Sequence, residues 1–170
     1  MIGSSRIIGF IAAFILVMSF TACSDDDDLE VEFFLTNDLT TEAPEPATEF
    51  RFGEDIRFIL RLWNTGDKDV DVGYDRDIIG NDIFTVYKGN GEIVGKPWKD
   101  MGVTFEGLLP IYAGSFKQWQ AVWKGVTTRS AILFPNEDNE LLAVGSYYCH
   151  FIVRLPERSV VCHQRFSVIP

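Results

Sequence analysis

The stretch Asp55-Ile56-Arg57-Phe58-Ile59-Leu60-Arg61-Leu62-Trp63-Asn64-Thr65-Gly66-Asp67 decides the fold class. Ile56, Phe58, Leu60 and Leu62 fall on one parity, while Arg57 and Arg61 fall on the other. Alternation of period two places the apolar set on one face of an extended chain, so this is a strand with a buried side. Asn64-Thr65-Gly66-Asp67 carries the residues that turn a chain, and Val70 and Val72 then alternate with Asp69 and Asp71 on a following strand.

The same signature recurs on both sides. Leu29 to Leu35 is a short strand before it, followed by the polar segment 37–49, whose Pro44 and Pro46 mark a loop. Downstream, Ile83, Thr85 and Tyr87 oppose Phe84, Val86 and Lys88, and Gly89-Asn90-Gly91 supplies the positive-φ residues of a hairpin. Further strands are expected at Glu92–Val94, Ser115–Trp123, Arg129–Phe134, Ser146–Leu155 and Ser159–Ile169. Turn signals every 8–12 residues or so, with no helix-period stretch and no repeat, predict an all-β chain. The expected architecture is an Ig-like antiparallel β-sandwich of about 7–9 strands.

Composition supports one such domain. The chain has 170 residues, 46% of them hydrophobic and 14% aromatic, enough to build a core. Lys+Arg 15 against Asp+Glu 25 gives a net charge of −10, which repels phosphate backbones and excludes nucleic acid as the natural partner.

The first 22 residues are a separate matter. Arg6 is the one charge before Asp25, and it precedes the uncharged run Ile7 to Phe20. A positive start followed by an apolar run too short for a comfortable membrane span is the pattern of a cleaved signal peptide. Its end, Phe20-Thr21-Ala22-Cys23, resembles the lipobox of bacterial lipoproteins, with Phe20 where Leu is commonest. The resemblance implies residues 1–22 as signal peptide and Cys23 as the lipid attachment site. Acyl chains contribute about 0.8 kcal/mol per buried CH₂, so several hold a protein at a membrane. Ser24-Asp25-Asp26-Asp27-Asp28 then forms an acidic tether and looks like the export signal of surface-exposed lipoproteins in certain Gram-negative bacteria. The expected location is therefore the outer membrane, facing the cell exterior, with residues 29–170 as the folded domain. Loss of Arg6 leaves 14 basic and 25 acidic residues, a charge of −11.

Phe52 to Lys68 resembles the opening strand and turn of the intracellular proteinase inhibitor (BsuPI-like) domain. Ile83-Phe84-Thr85-Val86-Tyr87, Asn90-Gly91-Glu92-Ile93-Val94 and Trp98 are similar to its next segment, and Ala113-Gly114-Ser115, Trp123-Lys124-Gly125 and Gly145-Ser146-Tyr147-Tyr148 to later landmarks. The family's Pro-Gly turn appears here as Ala113-Gly114, and an extra strand runs from Arg158 to Pro170. The resemblance, over about residues 50–155, implies an Ig-like fold; such folds host many functions. If inhibition were the function, a protruding loop would enter a protease cleft, and Thr36–Thr48 or Pro135–Leu142 would supply it.

Few residues suggest chemistry. A hairpin turning around Leu155–Arg158 would set Cys149 opposite Cys162 on its apolar face, close enough for a disulfide in an oxidising compartment; buried free thiols are the other reading. His150 and His163 would lie diagonally on the opposite face, two ligands where a metal site needs three or four, so no metal is expected. Asp67 to Gly73 fails as an EF-hand because loop positions six and twelve are Val72 and Ile78. No Gly-x-Ser-x-Gly, phosphate-cradling loop or His-Glu-x-x-His occurs, so no catalytic residue, enzyme activity or cofactor is expected. Aromatic side chains offer the binding hint: Trp98, Tyr112, Trp119 and Trp123 could stack on sugar rings or anchor a protein, although a sandwich more often buries its tryptophans. The expected function is a surface-anchored, non-catalytic binding or accessory module for an extracellular or envelope protein or glycan, with a displayed proteinase inhibitor as the alternative.

Overall fold

The computed structural model describes residues 28–73, 75–80, 82–97, 110–125 and 140–170. The signal peptide, Cys23, the tether up to Asp27, Trp98 and the strand expected at Arg129–Phe134 therefore lie outside the described residues. So does most of the loop expected at Pro135–Leu142.

Ten strands and one short helix are described: β1 (Leu29–Thr36), β2 (Glu49–Arg51), β3 (Ile56–Asn64), β4 (Val70–Asp71), α1 (Asp75–Ile79), β5 (Val86–Lys88), β6 (Ile93–Gly95), β7 (Pro110–Ile111), β8 (Phe116–Trp123), β9 (Gly145–Arg154) and β10 (Ser159–Ile169). A three-stranded sheet has the order β1-β3-β8, and a five-stranded sheet the order β2-β10-β9-β5-β6; β4 and β7 form a separate pair. The expected all-β sandwich is what forms. Pairing is antiparallel except between β2 and β10, where a three-residue strand too short to read in the sequence joins in parallel.

The core lies between the two large sheets because the apolar parity of each strand faces inward. Ile56, Phe58, Leu60 and Leu62 of β3 are each at most 2% exposed. Aromatic rings cross the gap: Phe33 of β1 meets Phe151 of β9 edge-on at 4.8 Å, and Phe58 meets Phe166 of β10 at 6.2 Å. Edge-to-face pairs of this kind add about 0.5–1.5 kcal/mol beyond the area they bury.

The other face of β3 departs from the expected wet surface. Ile59 is fully buried and Arg61 is only 9% exposed, because the polar segment 37–48 lies across them. Asp38 shapes that segment. Its Oδ1 accepts the backbone N–H and hydroxyl of Thr40 and the N–H of Thr41, and its Oδ2 accepts the Thr41 hydroxyl at 2.6 Å. The turn so formed presents the carbonyls of Asp38 and Thr41 to Arg57 Nη1, and Glu42 offers its carbonyl to Arg61 Nη2 at 2.9 Å. Pro44, beyond it, is buried. One candidate inhibitory loop is thus pinned flat on a sheet.

The hydroxyl of Thr41, followed by the backbone N–H groups of Thr40 and Thr41, holds the Asp38 carboxyl well below its usual pKa. A depressed folded-state pKa contributes stability that is present above the unfolded value, about 3.9, and is lost as pH falls towards the folded one. Acid titration of wild type and Asp38→Asn should therefore differ in slope below about pH 4 and run parallel above it. Equal slopes throughout would show that the turn does not couple to folding.

Two further local readings change. Ile83 and Phe84 do not alternate on a strand, since the Thr85 N–H and hydroxyl both donate to Asp82 O and close a turn that buries both side chains. The segment after β4 contains α1, where adjacent Ile78 and Ile79 are both buried, an arrangement a helix end allows and a strand of period two does not. Asp69, one of the acidic residues of the failed calcium loop, accepts the Ala113 N–H at 3.0 Å and so fixes the β7–β8 turn.

The domain begins at one end of the sandwich. Asp28 O accepts the N–H of Thr65 at 2.7 Å, and Leu29 O accepts Arg158 Nη2 at 2.7 Å. The chain thus enters β1 beside the β9–β10 turn.

Candidate functional site

The register of β9 and β10 decides what each side of the five-stranded sheet carries. Cys162 pairs with Phe151, His163 with His150, Gln164 with Cys149 and Arg165 with Tyr148. The turn falls where expected: Leu155 N donates to Arg158 O at 2.7 Å and Ser159 pairs with Arg154, but a hairpin closed there sets Cys149 opposite Gln164 and not Cys162. This shifts each partner by two residues relative to the expected hairpin. A shift of two keeps every side chain on its face and changes only its neighbours.

The expected disulfide is one casualty. Cys149 and Cys162 share the inner face but sit diagonally, and both are free, buried thiols. Diagonal neighbours are about 7–8 Å apart, beyond ordinary disulfide reach. Burial pushes the Cys162 thiol up to about 12, and burial together with Cys162 raises Cys149 well above its usual value. Protonated, enclosed thiols are poor nucleophiles. A thiol reagent should therefore leave both unmodified in the folded protein and label both after unfolding without reductant. Failure to label after unfolding would establish the disulfide.

Two of the aromatic binding candidates are also reassigned. Trp119 is 5% exposed and Trp123 is 3% exposed, both pointing into the core from β8. Trp123 Nε1 donates to Glu140 O at 3.2 Å, whereas Trp119 Nε1 finds no partner among the described residues and its ring is held by packing. Their shared parity reflects core packing, as Trp in a sandwich usually does. Tyr112 is 64% exposed in the β7–β8 turn, apart from the two tryptophans. The three aromatic candidates among the described residues, Tyr112, Trp119 and Trp123, do not converge.

A different set does. The same register that separates the cysteines brings His150 and His163 directly opposite each other on the outer face, with ring centroids 5.9 Å apart. Tyr148 lies 5.2 Å from His163, and Tyr87 of β5 stacks on Tyr148 at 5.0 Å and 7°. Tyr87 arrives there because β5 pairs with β9, placing it opposite Tyr148. Arg165 flanks Tyr148 on the other side, and Ser167 pairs both with Ser146 and with Glu49 of β2. Four rings thus form a continuous row across three strands, bordered by a guanidinium, two serines and one carboxylate. Together they line a broad, shallow concavity that also includes Thr48 and Gly89.

The electrostatics suit recognition. Partial burial, then His150 and Arg165, lowers the His163 pKa, so at neutral pH its imidazole offers one donor and one acceptor. Burial, with Asp82 and Tyr148 behind it, raises Tyr87, which keeps its phenol protonated. The row can accept and donate hydrogen bonds and stack on a flat or apolar ligand face. Among the described residues no group of three or more His, Cys, Asp or Glu side chains could hold a metal ion.

Tyr87, Tyr148 and Arg165 were not singled out by the sequence. The available signal was parity: on β9 and β10 the residues between the apolar positions are Tyr148, His150, His163 and Arg165. The contribution of Tyr87 depended on a pairing across sixty residues of chain that periodicity does not specify.

No family model and no curated protein matches this chain. Among solved structures, it is similar to a crystal structure described as Northeast Structural Genomics Consortium target SoR45, at 11% identity and a TM-score of 0.35, over 85% of this chain and 90% of that one.

Proposed function

We propose that the protein is a non-catalytic binding module, held at the outer membrane by a lipid on Cys23 and facing the cell exterior, where it takes an extracellular glycan or protein. The observation that carries the binding reading is the ring row Tyr87–Tyr148–His163–His150, partly exposed across the broad face of a sheet whose interior is independently packed. Side chains with ring faces and polar edges cost little in the folded protein and supply contact area at low entropic cost. The anchoring reading is supported by the sequence from Arg6 to Asp28 alone.

The test uses the full chain in detergent micelles, presented to a panel of polysaccharides and to proteins released from the cell exterior. Binding should fall at least tenfold in a Tyr148→Ala, His163→Ala variant whose circular dichroism is unchanged, since each lost contact is worth about 1 kcal/mol or more. Unaltered binding in that variant would move the ligand to another surface. In cells, Cys23→Ser should abolish labelling by a fatty-acid analogue; labelling that persists would refute the lipid anchor.

A further inference from the structure

The ladder positions on the outer face of the five-stranded sheet can be followed row by row, at about 7 Å per two residues. Arg51 lies beside Ile169, Glu49 beside Ser167 and Ser146, Arg165 beside Tyr148 and Tyr87, His163 beside His150, Val161 beside Ile152, and Arg154 beside Ser159. Three arginines and one carboxylate occupy these positions in a chain whose net charge is −10. Asp82 adds a second carboxylate near Tyr87, and Glu54 lies beside the Arg51 backbone, where it accepts the N–H at 2.8 Å. Even with these counted, the charge balance of the face is unlike that of the rest of the molecule.

Arg165 stands at the centre. It is exposed, and its guanidinium has no hydrogen bond or ion pair among the described residues. A protein with a large acidic excess leaves this cation unneutralised directly beside the ring row. Around it the groups are of mixed type: phenols and imidazoles with ring faces, the hydroxyls of Ser146 and Ser167, and the Glu49 carboxylate, which can accept from hydroxyls.

We infer that this face binds an acidic polysaccharide, with an anionic group of one sugar paired to Arg165. The neighbouring sugar ring lies against Tyr148 and His163, and its hydroxyls reach Glu49 and the two serines. This inference rests on the binding-module reading and names its ligand class. An acidic protein segment would satisfy Arg165 equally well. However, protein interfaces concentrate their energy in deep, desolvated apolar pockets, and this concavity is wide, shallow and of mixed polarity. Glu49 favours a sugar as well, because it can accept from the hydroxyls that a sugar carries beside its anionic group.

The experiment measures binding of the full chain in detergent micelles to polygalacturonate, dextran sulfate and neutral dextran of matched length, at low and high salt. One or both charged polymers should bind at low salt and weaken steeply as salt rises, with carboxylate and sulfate distinguished by which of the two is preferred. Arg165→Gln should weaken that binding roughly tenfold or more, since a charge-assisted contact is lost. Lys117→Gln, the same change of net charge on the other sheet, should leave it within about twofold. Neutral dextran binding as well as the charged polymers, or equal losses in the two variants, would overturn the acidic-ligand inference and leave the binding-module reading intact. Capture of an acidic protein with no polysaccharide bound would overturn the glycan assignment. Retention of neither polysaccharide nor protein would overturn the module reading as well.

Discussion

Phe84→Ala should lower the unfolding free energy by about 3–5 kcal/mol, as expected when a fully enclosed phenylalanine is truncated. Phe84 has no exposed surface and touches rings from both sheets: Phe33 at 5.9 Å, Phe58 at 5.8 Å and Phe151 at 5.5 Å. Removing it leaves a hole where the two sheets meet, and the remaining rings cannot all move in to fill it. The loss is a large part of the roughly 5–15 kcal/mol that stabilises a typical domain.

Phe84 also has a left-handed backbone, with φ of 59°. A non-glycine residue there costs about 1–2 kcal/mol, partly offset by the greater freedom that glycine has in the unfolded chain. Phe84→Gly should therefore be as stable as Phe84→Ala or more stable by up to about 1 kcal/mol, reversing the usual order of the two residues. Urea denaturation of the three proteins measures both effects. An alanine variant clearly more stable than the glycine one would mean that the backbone relaxes once the ring is gone.

The second large effect is expected at Arg61. Its Nε donates to Gln118 at 2.8 Å, Nη1 pairs with Glu32 at 3.3 Å and Nη2 donates to Glu42 O at 2.9 Å. The guanidinium also lies 5.2 Å from the Phe34 ring centroid and 5.4 Å from that of Phe116. One side chain therefore joins all three strands of its sheet to the segment folded over them. Arg61→Ala should cost about 2–4 kcal/mol, since it strands Glu42 O and Gln118 and opens a space under the loop. Arg61→Lys should recover less than half of that, because an ammonium cannot serve three acceptors in the geometry of a planar fork. The same variants should be cleaved faster by protease within residues 37–48. A change below about 1 kcal/mol would show that Arg61 belongs to the many surface pairs that contribute little.

These two residues also mark where sequence and structure part. Arg61 sits on the polar parity of β3, and the alternation around it correctly identified a strand and its inner face. That alternation contained no sign that residues 37–48 would return to cover the polar side. Phe84 fits a period-two pattern equally well, yet the Asp82–Thr85 hydrogen bonds turn the chain there. In both cases a local pattern was overruled by partners distant in sequence or by turn chemistry that periodicity does not register.

The candidate site has the same character. Trp119 and Trp123 drew attention because of their size, and size is the reason they are buried. The site residues Tyr148, His150, His163 and Arg165 are visible in the sequence as the outward parity of β9 and β10. Their neighbours follow from the register that the Leu155–Arg158 turn sets, two residues away from the one that would oppose the cysteines.

What the sequence determined by itself was the all-β class, the boundaries of the longest strands and the face of each that is buried, because alternation with the period of an extended chain has only one efficient packing. The tertiary structure decided which strands pair, in which register, and which segments cover a second face. Those choices turn on contacts between residues far apart in the chain, and a shift of two residues leaves every hydrophobic pattern unchanged while separating Cys149 from Cys162 and bringing His150 against His163.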